Sequence, residues 1–333
     1  GSEMCIRDSD DIDLVAVADT NPEQLKDAPE GVETYANIDE MLANADINVV
    51  MVSTPNPSHP EMVKKAAAAK KHVICEKPAA MSVAEYDEMV AACEENGVIF
   101  TVHQQRRWDK DYRIMKEVYD KSMVGDMYII KSQLYGVNGN MHDWHIYPEM
   151  GGGMLYDWGV HLIDQMLDMV KSKIVSLYAD VQNVINENVD DYFKIIMKFE
   201  NGVTAEIELG TYYLTPKRAW FIGGNKGSAL IDGFAGEGKI VRTAHLLENV
   251  PGKITMTAAG PTRSFGPPEP GLLSEEPLPE VNVDHRNYFE HFLKAFNGEE
   301  DIIIKPEQVR RVLCVMDAVR ESAKTGKAIA FEE

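Results

Sequence analysis

The sequence is poor in the features that mark several large protein classes. Its four cysteines, Cys5, Cys75, Cys93 and Cys314, are scattered over 333 residues with no CxxC pair, which argues against a disulfide frame or a zinc site and suits reduced thiols in a cytosol. No apolar run approaches the ~20 residues that span a bilayer. Secretory and lipidation signals are missing as well, so a cytoplasmic protein without membrane attachment is expected. Basic residues are scarce: 33 Lys and Arg stand against 54 Asp and Glu, a net charge of −21 that repels phosphate backbones and anionic headgroups. Nucleic acid is not an expected partner.

What is present is a globular composition, 44% hydrophobic and 26% charged, in a chain long enough for two domains with separate cores. Between residues 12 and 103, apolar runs (IDLVAVAD, INVVMVST, HVICEK, VIFTVH) alternate with helix-like segments (NIDEMLANAD, SHPEMVKKAAAAKK, SVAEYDEMVAACEENG). Short apolar runs divided by amphipathic helices read as a parallel sheet covered on both faces. Ser58 and Ser82 stand where helix caps belong, and Gly97 where a helix ends. After a helical stretch near 110–122, period-2 alternation surrounds Asn201-Gly202, the signature of an antiparallel hairpin. The expected organisation is α/β: a parallel-sheet domain over 1–106, then a domain over 107–333 built on a large, mostly antiparallel open sheet with helices. Residues 246–280, rich in Pro, Gly and Glu, read as a long surface loop. Helices near 282–297 and 306–325 and a last strand in AIAF follow.

Ligands bind outside the carboxyl ends of parallel strands, and four such ends carry polar residues. Asp19, followed by Thr20, can accept hydrogen bonds from an adenosine ribose or can cap the next helix. No Arg or Lys follows in TNPEQ to favour a 2′-phosphate, which leans toward NAD over NADP. Thr54, Pro55 and Asn56 make a rigid turn at the second end, with His59 in the helix behind it. At the third, HVICEKPAAM, an apolar run stops at Glu76, Lys77 and Pro78. A lysine desolvated there can turn its ammonium into a crevice and polarise a substrate oxygen; the plain alternative is a surface lysine beside a helix start. The fourth is HQQRRWD, with Gln105, Arg106 and Arg107.

A second constellation is GGGMLYDWGVHLID, residues 151–164. Three glycines would let the backbone pass close to a ligand, and Asp157, His161 and Asp164 then follow at the spacing of one helix face. A histidine beside a carboxylate suits a general base at neutral pH; a capped helix with a solvated polar stripe is the alternative. Upstream, His142 and His145 in MHDWHIYPE lack the carboxylate or cysteine set of a metal site. No metal is expected, and Trp144 with His145 reads as the wall of a polar pocket.

Taken together, TPNPSH, CEKP, QRRWD and GGGMLYDWGVHLID, in this order and at these separations, resemble the Gfo/Idh/MocA family of sugar and inositol oxidoreductases from about residue 12 to the C-terminus. The resemblance implies a Rossmann domain followed by an α/β domain whose open sheet forms a homodimer or homotetramer interface. By motif, it implies that Lys77 bridges cofactor and substrate hydroxyl, His161 accepts the proton, and Asp157 holds the substrate. Thr54, Pro55, Asn56, His59, Glu76 and Gln105 would line the nicotinamide side of an NAD pocket, and Asp19 with Thr20 its ribose side. Arg106, Arg107, Trp144, His145 and Tyr213 would border a small-molecule sugar or polyol. The implied activity moves a hydride between a secondary alcohol of a sugar, glycoside or inositol and nicotinamide. A non-catalytic sugar-binding or oligomeric relative is the alternative.

One part of the Rossmann pattern is wanting. A strand, a G-x-G-x-x-G turn and a helix should precede the ribose-binding acid by about 20 residues. Only 18 residues precede Asp19, and the sole glycine before Gly31 is Gly1. The first βα unit, central in such a sheet, is therefore expected to be missing, leaving two strands with unpaired edges. GSEMCIRDS reads as a cloning scar or unrelated sequence joined to a truncated gene, or EMCIR as an improvised strand. The chain as written is expected to bind dinucleotide poorly.

Overall fold

A computed structural model of the chain describes residues 12–137, 141–245, 253–264 and 270–331. In the first hundred residues, β1 (Ala16–Ala18) pairs in parallel with β2 (Glu33–Tyr35), and β3 (Val49–Val52), β4 (His72–Cys75) and β5 (Phe100–Val102) form a second parallel set. Helices α1 (Ile38–Asn44), α2 (His59–Ala68) and α3 (Val83–Asn96) alternate with them. The β-branched run of β3 and β4 suits a covered sheet, and Val50, Val52, Val73, Ile74 and Cys75 are buried. Asn37 Oδ1 accepts the Glu40 N–H at 2.9 Å to start α1, and Ser82 Oγ accepts the Glu85 N–H at 3.3 Å to start α3. Gly97 ends α3 in the left-handed region, φ +66°. Ser58 departs from the capping role expected of it. A 3-10 turn over Asn56–Ser58 precedes α2, so Ser58 is already helical and its hydroxyl bonds Thr54 Oγ1 and the Pro55 carbonyl, both at 2.7 Å.

Among the described residues no ladder joins β1–β2 to β3–β4–β5. The two readings of the first nine residues lie outside the described residues.

The rest of the chain begins with α4 (Lys110–Asp120), β6 (Met127–Tyr135) and α5 (Val160–Met169). The strands β7 (Ile174–Gln182), β8 (Tyr192–Phe199), β9 (Thr204–Gly210), β10 (Trp220–Gly224), β11 (Gly227–Ile231) and β12 (Gly238–Thr243) follow. A hairpin, β13 (Lys253–Thr257) and β14 (Gly260–Ser264), and a short strand, β15 (Leu273–Glu276), then lead to α6 (Arg286–Phe296), α7 (Pro306–Thr325) and β16 (Ile329–Ala330). The nine-stranded sheet runs β15–β12–β11–β10–β6–β9–β8–β7–β16 and is antiparallel except where β6 lies beside β9. Its period-2 pattern sends Ile130, Ile195, Met197, Ala205, Ile207 and Ile222 into a core beneath α4, α5 and α7. Ile129, Lys131, Lys194, Ile196, Glu206 and Phe221 take the opposite face.

The long loop expected over 246–280 is corrected. Alternating Ile254, Thr255, Met256 and Thr257 pair with residues 260–263 across the two-residue turn Ala258–Ala259, after which Gly260 takes φ +109°. Residues 273–276 extend the edge of the large sheet beside β12. Stretches 246–252 and 265–269 lie outside the described residues. The chain finally returns to its first half: Thr101 Oγ1 donates to the Ile304 carbonyl at 3.0 Å and Tyr86 Oη to that of Pro306 at 3.2 Å. Among the described residues no helix is long and apolar enough to cross a membrane.

Candidate active site

Lys77 leaves the carboxyl end of β4 and meets the segment that opens α5. Its Nζ donates to Asp157 Oδ1 at 2.8 Å and to the Asp157 carbonyl at 3.0 Å. The two side chains are 17% and 20% exposed, so a ligand can reach the pair. Asp157 sits in a single π-turn, Leu155–Gly159, ahead of the regular helix, a local irregularity often found at functional positions. Asp190 anchors that turn: its Oδ2 accepts the Leu155 N–H at 2.7 Å and its carbonyl accepts the Met154 N–H at 2.9 Å.

The three glycines before the turn do not serve the close ligand approach expected of them. A Cβ on Gly151 would stand 2.6 Å from Asn56 Nδ2, one on Gly152 2.3 Å from the His145 carbonyl, and one on Gly153 2.2 Å from Asp190 Oδ1. The protein itself fills the space they leave.

His161 lies one turn beyond Asp157 and is 3% exposed. Its Nδ1 is 3.0 Å from Gln104 Oε1. With Gln104 Oε1 turned toward it, Nδ1 carries the hydrogen and Nε2 keeps its lone pair, while Gln104 Nε2 is buried with no hydrogen-bond partner among the described residues. Burial, then the positive charges of Lys77 and Arg106, hold the imidazole's proton affinity well below its ordinary value. His161 is thus a neutral base with a fixed tautomer. On the other flank of Asp157, His145 Nε2 is 4.0 Å from Oδ2, and Trp144 stacks on that imidazole at 3.7 Å.

The residues expected along the dinucleotide divide into open positions and struts. Asp19 and Thr20 are exposed at the end of β1, where Asp19 Oδ1 also accepts the Asn21 N–H at 2.7 Å and shapes the following turn. Thr54 and Pro55 are exposed after β3. Asn56 and His59 are not open. Asn56 Nδ2 donates to the Met150 carbonyl at 3.1 Å, and His59, 0% exposed, lies between the carbonyls of Thr54 (2.7 Å) and Pro78 (3.0 Å). His59 therefore clamps the loops after β3 and β4 together. Glu76 Oε1 pairs with His103 Nδ1 at 2.8 Å. Gln105 Oε1 is buried without a hydrogen-bond partner among the described residues. Polar groups at the ends of β1, β3 and β4, with this unmet acceptor, fit the ribose and nicotinamide ends of a dinucleotide.

The substrate-side expectations separate more sharply. Arg106 stacks 4.0 Å above the Trp158 ring and donates to Asp109 Oδ2 at 3.0 Å, beside the site. Arg107 turns the other way. Its Nε and Nη2 each reach Asp164 at 2.7 Å, and Nη1 reaches Gln308 Oε1 at 3.0 Å. Burial works against its charge, but Asp164 and Asp168 outweigh burial and hold the guanidinium proton more firmly than water does. Arg107 and Asp164 are thus a strut under α5, and Asp164 does not share a working face with Asp157 and His161. Tyr213 donates to Glu208 Oε1 at 2.7 Å on the large sheet, where Gln133 and Lys217 also bond that carboxylate. Gln104 and Asp190 were missed from the sequence, since neither residue type nor spacing separates Gln104 from Gln105. Among the described residues no group of three or more His, Cys, Asp or Glu is placed to hold a metal ion.

Lys77, Asp157 and His161 thus meet where the strand ends of the parallel half face the helix of the second half, and the comparisons give the class of protein in which this arrangement stands. Residues 3–104 match the model of the oxidoreductase family with an NAD-binding Rossmann fold, and residues 112–230 match the GFO/IDH/MocA C-terminal domain. The chain belongs to the Gfo/Idh/MocA oxidoreductase family. It is similar to an uncharacterized oxidoreductase of Schizosaccharomyces pombe, 28% identical over 89% of this chain and 84% of that protein. It is also similar to the scyllo-inositol 2-dehydrogenase (NADP(+)) of Bacillus subtilis, 24% identical over 97% of this chain and 90% of that one. Shorter matches to further curated relatives take in 46%, 58% and 61% of those proteins' lengths. Among solved structures, an NAD-binding protein from Listeria innocua superposes with a TM-score of 0.87 at 30% identity, covering 98% of this chain and 92% of that one.

Proposed function

We propose that the chain is an NAD-dependent dehydrogenase acting on a secondary alcohol of a sugar, glycoside or inositol in the cytoplasm. The observation that carries this reading is the convergence of Lys77, from the end of β4, with Asp157 and His161 at the start of α5. Nicotinamide, when bound, supplies the hydride acceptor. Lys77, steered by Asp157, donates to the carbinol oxygen and stabilises the charge that grows there as the C–H bond breaks. Nε2 of His161 takes the hydroxyl proton, and burial keeps that nitrogen unprotonated beforehand. Trp144 and His145 border the ring, and Gln104 fixes the tautomer of the base.

Asp19, with no Arg or Lys in the five residues after it, supports NAD over NADP. The Bacillus subtilis relative is named for NADP, so titration with both cofactors is the deciding measurement. A panel of polyols and glycosides assayed for NADH formation tests the reaction, with at least one inositol or sugar expected to be oxidised. Failure of every alcohol with a saturating bound dinucleotide would overturn the reading. A second reading, sugar binding without redox turnover, draws on the separation of β1–β2 from β3–β4–β5 among the described residues. Intact sugar binding with no affinity for NAD+ or NADH would favour it. Ile129, Ile196 and Phe221, half-buried around the Lys131–Glu206–Lys194 ion cluster on the outer sheet face, support assembly into a homodimer or homotetramer.

A further inference from the structure

Arg106 shares the Trp158 ring with the reacting groups. Its guanidinium carbon lies 4.0 Å from the centroid of that ring, which also meets the His161 imidazole edge-on at 6.2 Å. Two contacts hold the flat cation: the stack on Trp158 and the bond from Nη1 to Asp109 Oδ2 at 3.0 Å. Nε and Nη2 are left over. They make no hydrogen bond among the described residues, and they are not buried, the side chain being 26% exposed. An unsaturated guanidinium edge, already held in place, is a two-point donor for a planar carboxylate.

We propose that Arg106 determines specificity by taking a carboxylate of the substrate on its Nε–H and Nη2–H edge, which makes sugar acids the substrate class. The inference rests on the dehydrogenase reading of the crevice and narrows its substrates. Room and charge support it. Arg106 and Trp158 both line a cavity of about 200 Å3, below the roughly 300–1,000 Å3 of a whole small-molecule site and so suited to a substituent. After burial, the influences that lower the proton affinity of His161 most are the positive charges of Lys77 and then Arg106. In a chain of net charge −21, the crevice thus presents a positive field to a ligand. The acids nearby are engaged or screened. Asp109 is shared by Arg106 and by His285 Nε2 at 2.6 Å, the Asp111 carboxyl takes the Trp220 Nε1–H and the backbone N–H groups of Tyr112 and Asp111, and Asp232 is exposed to salt. A phosphate suits the place less, since it calls for several donors or a helix N-terminus, and Arg106 is the one cation among the described residues that line the cavity.

The test is isothermal titration of the full chain, in the presence and absence of NADH, with D-glucuronate, D-galacturonate and D-gluconate, each beside its primary amide. Acid and amide share a shape and differ in charge. At least one acid should bind about 10-fold or more tightly than its amide, the effect of hydrogen bonds to a charged partner. Arg106→Gln should abolish that preference, and Arg106→Lys should restore only part of it, because a lysine supplies charge without the fork. The comparison of acid with amide in the parent protein depends on no variant folding. No preference for the acid in any pair, or a preference that survives Arg106→Gln, would overturn the assignment. The two readings fail separately: an acid preference that depends on Arg106 with no alcohol oxidised keeps the carboxylate contact and removes the dehydrogenase, and oxidation of a neutral alcohol with acid and amide bound alike does the reverse.

Discussion

Two ion pairs tie the loops of the first parallel strands to the same helical segment, seven residues apart, and they do opposite things. Lys77–Asp157 has side chains 17% and 20% exposed, whereas Arg107–Asp164 has them 5% and 2% exposed. The arginine pair is bidentate and completed by Gln308, so every group is matched within the protein. The lysine pair is met at a solvent-reached surface by an ammonium with three donors, two of which Asp157 takes. A buried, saturated pair holds structure, and a half-open, unsaturated one remains available to a substrate. The cavity beside Arg107, about 330 Å3, is thus bordered by an ion pair that the protein itself completes.

The largest expected effect tests the structural half of that contrast. Arg107→Ala strands the Asp164 carboxylate in the interior and should cost about 3–5 kcal/mol of unfolding free energy, read by urea denaturation. Arg107→Lys should recover little of it, because a lysine cannot make the two-point contact. A loss below ~1 kcal/mol would erase the distinction between the pairs. Lys77→Ala tests the chemical half. Turnover should fall about 100-fold or more, equivalent to about 2.7 kcal/mol, while stability moves by no more than ~1 kcal/mol, as for other partly exposed pairs. A Lys77→Ala protein that unfolds easily but turns over normally would reverse the assignment.

The same contrast marks what could be read from the residues alone. The alternation of apolar runs and amphipathic segments before residue 103 was legible because βα units repeat a strong pattern, and the Asn201-Gly202 hairpin because its turn residues are specific. Lys77, Asp157 and His161 stood out through residue type and spacing. The directions of Arg106 and Arg107 did not. They lie in a 3-10 turn, Gln105–Trp108, where successive side chains diverge by about 120°, so identical neighbours enter different environments. Gln104 and Gln105 are separated in the same way at the edge of that turn. The π-turn at Leu155–Gly159 likewise displaces side chains from the regular helical face that the i, i+4, i+7 spacing suggested. The hairpin over 253–264 was hidden by the Pro and Gly around it.

Gln104 offers a smaller perturbation on the chemical side. Gln104→Leu removes the acceptor at Nδ1 of His161, freeing the ring to rotate and exchange tautomers. We expect kcat to fall about 10-fold with KM within about twofold, the pattern of a lost transition-state arrangement rather than lost binding. Gln104→Glu keeps an acceptor and should restore turnover, but its carboxylate favours the imidazolium. The acid limb of the pH profile should then move to higher pH than in the parent protein. A Gln104→Leu protein with unchanged kcat and an unchanged pH profile would reduce Gln104 to packing.

The smallest expected effect is a near absence of change. Burial first, then Lys77 and Arg106, lower the proton affinity of His161. The working form is the neutral base, so a depressed folded-state pKa extends its range downward: the base stays unprotonated as pH falls through the ordinary imidazole value and fails only well below it. An imidazole at about 6.5 would lose roughly half its activity between pH 7.5 and 6.5. For this protein kcat/KM should change by far less over that interval. The sign is specific to the cause: a carboxylate partner at Nδ1, in place of the Gln104 amide, would displace the limb upward. An acid limb centred at or above about 6.5 would mean that His161 neither lies in the dry, positively charged setting of the crevice nor differs from an ordinary surface histidine, and the contrast between open and saturated pairs would lose its chemical half.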